Sequence, residues 1–169
     1  MEVIARDCSN LHAIVVHVVI KEFENPDEAL LRSIEGQLFT NWRMHRTMAE
    51  LSASMGKQDY IFICDADIVI RPHCFYMLVK VARAQGAMVA YADEDELSGT
   101  EFRNPKFKPQ FSPELFGHVD YIGGAYLVRA DTFVDRIPSD GVISDWSAFK
   151  RDVVCGRTRQ EILRVPGIL

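Results

Sequence analysis

The sequence predicts an α/β domain with a mostly parallel sheet flanked by helices. Three observations carry this. Short runs rich in β-branched and aromatic residues, Ala13 to Ile20, Tyr60 to Cys64 and Met88 to Tyr91, have the unbroken apolar character of strands buried on both faces. Segments with helical spacing and capping residues lie between them. The resulting alternation of strands and helices is the pattern of layered α/β folds.

The elements follow in order. Residues 1–12 are mixed and read as a loose lead-in, and the strand 13–20 comes next. Asn25 is placed to cap a helix, with Pro26 at its first position and Glu28 three residues past the cap. Leu30, Ile34 and Leu38 share one face with Leu31 beside them, which predicts a helix over 27–39 ending near Thr40. Residues 43–59 are ambiguous: Met44 to Ser54 could form a short helix stopped by Gly56. The strand Tyr60 to Cys64 runs directly into Asp65-Ala66-Asp67. Pro72 opens a helix with Phe75, Leu78, Val79 and Ala82 inside and Gly86 as its stop. The strand 88–91 leads into Asp93-Glu94-Asp95-Glu96, and residues 98–118 are expected to be a long loop. Gly123-Gly124 precedes a strand from Ala125 to Val128. A short helix begins near Ala130, a second covers 144–155, and Ile162 to Val165 forms a last strand. No repeat or linker divides the chain, so a single domain over 1–169 is expected.

Composition narrows the classes. The chain has 169 residues, 48% of them hydrophobic, enough for one domain with a real core. Its net charge of −5 argues against a nucleic-acid-binding protein, which would carry a basic excess. The best apolar run, Ala13 to Ile20, contains His17 and is far too short to span a membrane. The first residues lack the basic-then-apolar layout of a signal peptide. Cys8, Cys64, Cys74 and Cys155 form no CxxC pair and no zinc spacing, and read as reduced, mostly buried thiols of a cytoplasmic protein. The patterns GxSxG, Walker A and GxGxxG are absent.

Four features could carry chemistry. Asp65 and Asp67 follow a buried strand, at the sheet edge where open α/β folds bind ligands. Two carboxylates two residues apart on an extended segment point the same way and can hold a hard divalent cation together with diphosphate oxygens. Chance alone gives about one Asp-x-Asp in a chain of this composition, so the strand-end context is what raises the motif. The second feature, Asp93 to Glu96, is either a solvated turn or one wall of a sugar or acceptor pocket. The third, Asp145, is either a helix cap or a general base, and nothing local decides between them. The fourth is basic: Arg103, Lys106 and Lys108 read as a solvated loop that could also meet a phosphate. The five histidines show no ligand spacing, although His118 could approach the acidic edge.

Taken in order, these segments resemble family-two glycosyltransferases of the GT-A fold, especially bacterial enzymes of surface-polysaccharide synthesis. The carrying segments are Asp59 to Asp67 with Arg71-Pro72, then Tyr91 to Asp95, Phe107 to Leu115 and Tyr121 to Gly124. They continue with Ser144-Asp145-Trp146, Arg151, and Val165 to Leu169. Gln37 to Trp42 also looks like the family's opening unit. The resemblance implies a Rossmann-like GT-A domain that transfers a sugar from a nucleotide-diphosphate sugar to a hydroxyl of a glycan or lipid-linked acceptor, with inversion. It implies Asp65 and Asp67 as ligands of a divalent metal (Mn²⁺ or Mg²⁺) and Asp145 as the catalytic base. Asp93, Glu94, Asp95, Gly123 and Gly124 would then line the donor-sugar and acceptor side. A position at the inner face of the membrane follows from lipid-linked acceptors.

The sequence departs from the family in its first half. Only residues 43–59 separate Trp42 from the Asp59-Tyr60 strand, fewer than the roughly 30 that a βαβ unit needs, so part of the nucleotide-binding half is missing. Ser147 stands where the family has a second aspartate after Asp145. The alternative function is therefore a reduced glycosyltransferase fold without turnover, acting as a binding or interaction module. An unrelated acidic metal-binding protein is a third class. A missing strand pair would leave an open sheet edge through which a homodimer could form.

Overall fold

The computed structural model describes Leu11 and residues 13–21, 26–138 and 140–169. Most of the lead-in, Cys8, His12 and the expected cap Asn25 lie outside the described residues. The element order is β1 (Val16–Ile20), α1 (Glu28–Glu35), β2 (Trp42–Met44), α2 (Met48–Ser54), β3 (Tyr60–Cys64), α3 (Cys74–Gln85), β4 (Val89–Ser98) and β5 (Glu101–Lys106). It continues with α4 (Pro113–Phe116), β6 (Ala125–Arg129), α5 (Ala130–Val134), α6 (Trp146–Val154) and β7 (Ile162–Ile168).

The strands form a sheet in the order β2-β1-β3-β6-β4, with both β5 and β7 on β4. The first half of β4 pairs with β7 and the second half with β5. The pairs β1/β2, β1/β3 and β4/β7 are parallel, and β6 runs antiparallel to both of its neighbours. Five strands therefore share one direction, and β5 and β6 oppose them. This is the mostly parallel α/β sheet that the sequence predicts.

Strand alternation sends side chains to two cores. On β3, Tyr60, Phe62 and Cys64 join Leu30 and Ile34 of α1 and Phe75, Leu78 and Val79 of α3. Ile61 and Ile63 face the other way, among Leu51 of α2, Phe116 of α4, Phe133 of α5, and Phe149 and Val153 of α6. Helices thus cover both faces, and the loops at the strand ends remain open for a site. Among the described residues, no helix is long and apolar enough to cross a membrane.

Several expectations change. The helix expected over 27–39 covers only Glu28–Glu35. Asp27 is its cap, accepting from the Ala29 amide at 2.9 Å, and Pro26 lies before it. Gly36 closes it, and Leu38 is exposed instead of lining the inner face. Met44 belongs to β2, and α2 begins after the Thr47 cap, whose hydroxyl accepts from the Glu50 amide. The expected loop 98–118 contains β5 and α4. The acidic run 93–96 is part of β4 and not a turn, because β7 and then β5 supply its backbone partners. Cys64 and Cys74 are free and buried, and burial pushes the Cys64 thiol up to about 12. Cys155 is free and exposed.

His17, within β1, is fully buried and structural. Its ring nitrogens meet His45 Nε2 at 2.8 Å and Asp59 Oδ2 at 3.2 Å. Asp59 also accepts from the Val15 and Gly56 amides, tying the start of β3 to β1.

Candidate functional site at the carboxyl edge of the sheet

Backbone hydrogen bonds gather four loops around Asp65-Ala66-Asp67. The Lys21 amide, just past β1, donates to the Cys64 carbonyl at 2.8 Å. The Asp27 amide donates to the Ala66 carbonyl at 2.9 Å, and the Asp65 amide donates to the Gly124 carbonyl at 3.1 Å. The end of β1, the cap of α1, the end of β3 and the start of β6 are therefore fixed to one another. Each backbone donor at this edge that finds a carbonyl avoids the cost of an unpaired polar group.

Asp65 and Asp67 form a ridge between two cavities. One, of about 550 Å³, is lined by the ridge together with Arg71, Asp93, Glu94, Asp95, Lys108 and Gly124. The other, of about 700 Å³, is lined by the ridge with Lys21, Ser144, Asp145, Trp146 and Ser147. The structure thus brings together the residues that the sequence singled out, on the two sides of one motif. Gly123 belongs to the same loop, against Glu94 and Lys108.

Glycine is required where the loop meets the ridge. A Cβ on Gly124 would sit 2.1 Å from Asp65 Oδ2. Gly123 has φ +84°, and a Cβ there would come within 2.7 Å of both Glu94 Oε2 and Lys108 Nζ. Two buried lysines hold this loop from opposite sides. Lys108 donates to the Ile122 carbonyl and pairs with Glu94, both at 2.8 Å. Lys150, on α6, donates to the Gly123 carbonyl and to Asp120 Oδ2, both at 2.6 Å. Burial pulls the Lys150 ammonium below its ordinary pKa, against the upward pull of Asp120.

The carboxylates differ sharply in what they are free to do. Asp93 is buried, and Arg164 of β7 grips both of its oxygens, at 2.9 and 2.6 Å. The Lys108 and Gly167 amides add two more bonds. Burial alone would raise the Asp93 pKa, but these bonds outweigh it and hold the carboxyl below its ordinary value. Asp95 pairs with Arg71, whose guanidinium stacks on Phe102 of β5 at 3.5 Å. Glu94 is partly exposed beside Lys108. Asp145 is exposed and caps α6, accepting from the Ala148 amide at 2.8 Å. Asp67 is exposed on the ridge.

Of the basic trio, Arg103 and Lys106 are exposed and paired with neighbouring glutamates, whereas Lys108 is buried in the site. His118 is exposed and lines neither cavity. Sequence reasoning missed Lys21, Lys150 and Asp120. Lys21 Nζ meets Asp65 Oδ1 at 2.8 Å, and its side chain is only 11% exposed. A usable signal existed: Lys21 is the first charged residue after a buried parallel strand, and such residues lie at the ligand-binding edge.

The donor set suits a hard divalent cation only with outside help. Among the described residues, no group of three or more His, Cys, Asp or Glu gathers as a ready-made metal site. Asp65 and Asp67 provide two carboxylates. Magnesium-like ions accept such a pair when water and phosphate oxygens complete the shell. The second cavity carries three carboxylates (Asp65, Asp67 and Asp145) against one lysine, so its charge also favours a cation.

Fold and site together define a layered α/β protein with an acidic ridge at the carboxyl edge of its sheet. No protein-family model matches the chain. Over 76 residues, 44% of its length, the chain is 33% identical to the O-antigen biosynthesis protein RfbC of Myxococcus xanthus. That stretch spans 6% of the RfbC protein.

Proposed function

We propose that the protein is a glycosyltransferase of the GT-A type. It would transfer a sugar from a nucleotide-diphosphate donor to a hydroxyl of a glycan or lipid-linked acceptor. The observation that carries this reading is the Asp65-Ala66-Asp67 ridge, open to a cavity on each side, with Asp145 lining one and Glu94 and Asp95 the other. The similarity to a protein of O-antigen biosynthesis supports a role in polysaccharide assembly.

In this reading the exposed Asp145 takes the proton of the acceptor hydroxyl as it attacks the anomeric carbon, which inverts the configuration. Glu94 and Asp95 face the sugar. Asp93 lies beneath them and keeps β4 and β7 in place through Arg164. A divalent cation held by Asp65 and Asp67 would supply positive charge to the departing diphosphate.

The test is release of nucleoside diphosphate from a panel of UDP-, dTDP- and GDP-sugars with Mn²⁺ and candidate acceptors. Turnover by the wild type and its loss in Asp67→Asn would support the assignment. A second reading, a fold that binds without turnover, is favoured by the small second unit, in which β2 has three residues and α2 has seven. Nucleotide binding with no release from any donor would favour it.

A further inference from the structure

We propose that Lys21 is a diphosphate-binding residue that holds Asp65 while the donor is absent and passes to the donor's phosphate oxygens when it binds. Cation binding and nucleotide binding would thereby depend on each other. The inference deepens the glycosyltransferase reading and rests on it.

The argument starts from position. Lys21 is fixed by its backbone to the carbonyl of Cys64, the residue before the ridge. Its ammonium lies 2.8 Å from Asp65 Oδ1 and 5.6 Å from the centre of the Tyr126 ring. It also lines the cavity that Asp67 and Asp145 share. The other Asp65 oxygen packs against Gly124, so Lys21 holds the oxygen that faces away from that loop. Lysine is a point charge on a flexible stem and is a common phosphate ligand. A small rotation about its outer torsions would carry the ammonium from Asp65 toward an anion in the same cavity.

Charge makes the exchange cooperative. With Lys21 on Asp65, a cation approaching the ridge meets an ammonium already on one of its two carboxylates. A diphosphate without a cation meets three carboxylates and one lysine. When both arrive together, the phosphate draws Lys21 away and the cation takes the freed Asp65 oxygen. Lys150 lies 5.2 Å from the Tyr126 ring centre, and Asp120 and the Gly123 carbonyl hold it in place. Lys150 is thus tied by a carboxylate and a carbonyl within the glycine loop, whereas Lys21 is tied to the ridge itself through Asp65.

The experiment is calorimetry on the full chain with MnCl₂ alone, with UDP, dTDP or GDP in EDTA, and with each nucleotide plus Mn²⁺. It compares wild type, Lys21→Met and Lys21→Arg, with thermal melts to confirm folding. Lys21→Gln replaces the Met variant if that one does not fold. Removing the charge should tighten Mn²⁺ binding in the absence of nucleotide and weaken nucleotide binding in the presence of Mn²⁺. Each change should be about tenfold, the size of one charge-assisted hydrogen bond. Lys21→Arg should keep nucleotide binding. A folded Lys21→Met with unchanged Mn²⁺ affinity, or with unchanged nucleotide affinity, would overturn the role of Lys21 and leave the donor-site reading standing. Failure of the wild type to bind any of the three nucleotides, with or without Mn²⁺, would instead overturn the donor site itself.

Discussion

Arg164 of β7 closes a two-pronged ion pair on Asp93 of β4, where the register between the two strands shifts. The pair fixes the far end of the sheet beneath the first cavity. Removing the arginine would strand a buried carboxylate. Arg164→Met is expected to cost about 3 kcal/mol, read by urea unfolding. Because the folded state depresses the Asp93 pKa, its contribution is present above the unfolded value of 3.8 and is lost as pH falls through the lower folded value. Wild type should therefore lose stability in strong acid more steeply than Asp93→Asn.

Gly124→Ala tests the contact between the glycine loop and the ridge. A methyl group there forces the Asp65 carboxylate to turn away from its place beside Lys21. The expected outcome is a stability loss of about 1 kcal/mol together with loss of nucleotide binding. Thermal melts and calorimetry on the same preparation separate the two effects.

Asp145 caps a helix and is proposed as a base, and one pair of variants splits these roles. Asparagine caps as well as aspartate, whereas alanine costs about 1 kcal/mol. Asp145→Asn should therefore keep wild-type stability and lose turnover, and Asp145→Ala should lose both. Turnover retained by Asp145→Asn would remove Asp145 from the chemistry.

His45 gives a pH dependence of the fold. Burial lowers its pKa from 6.5, and His17 lowers it further, against an upward pull from Glu50. The neutral ring is the form that the fold accepts. Its contribution is complete above the unfolded value and is lost as pH falls through the lower folded value. Melting temperature should fall as pH drops below 6.5. The His45→Gln variant should show a shallower fall over the same range.

What could be read from the sequence was whatever neighbouring residues decide among themselves. β3 comes out as read, and α3 stops as read at Gly86 although it starts at Cys74 behind His73 and not at Pro72, because an unbroken apolar run and a left-handed glycine are local signals. The ends of α1 are not legible because the signals at Asp27 and Gly36 compete with equally plausible ones at Asn25 and Thr40. β2 has only three residues and owes its conformation to pairing with β1. The acidic half of β4 is a strand only because β5 returns along it, with Lys106 beside Glu96. The same holds for the site. Asp65 and Asp67 were legible from their place after a buried strand. The cations that surround them come from residues 44 and 85 positions away from Asp65, in Lys21 and Lys150, and no spacing rule joins such pairs.

A ridge that borders two chambers has a thermodynamic consequence. Asp65 and Asp67 face both, so any charged occupant on one side alters the potential felt on the other. The two chambers cannot be filled independently. Whatever free energy an occupant of the first contributes to capture in the second must be returned in equal measure when the order of arrival is reversed.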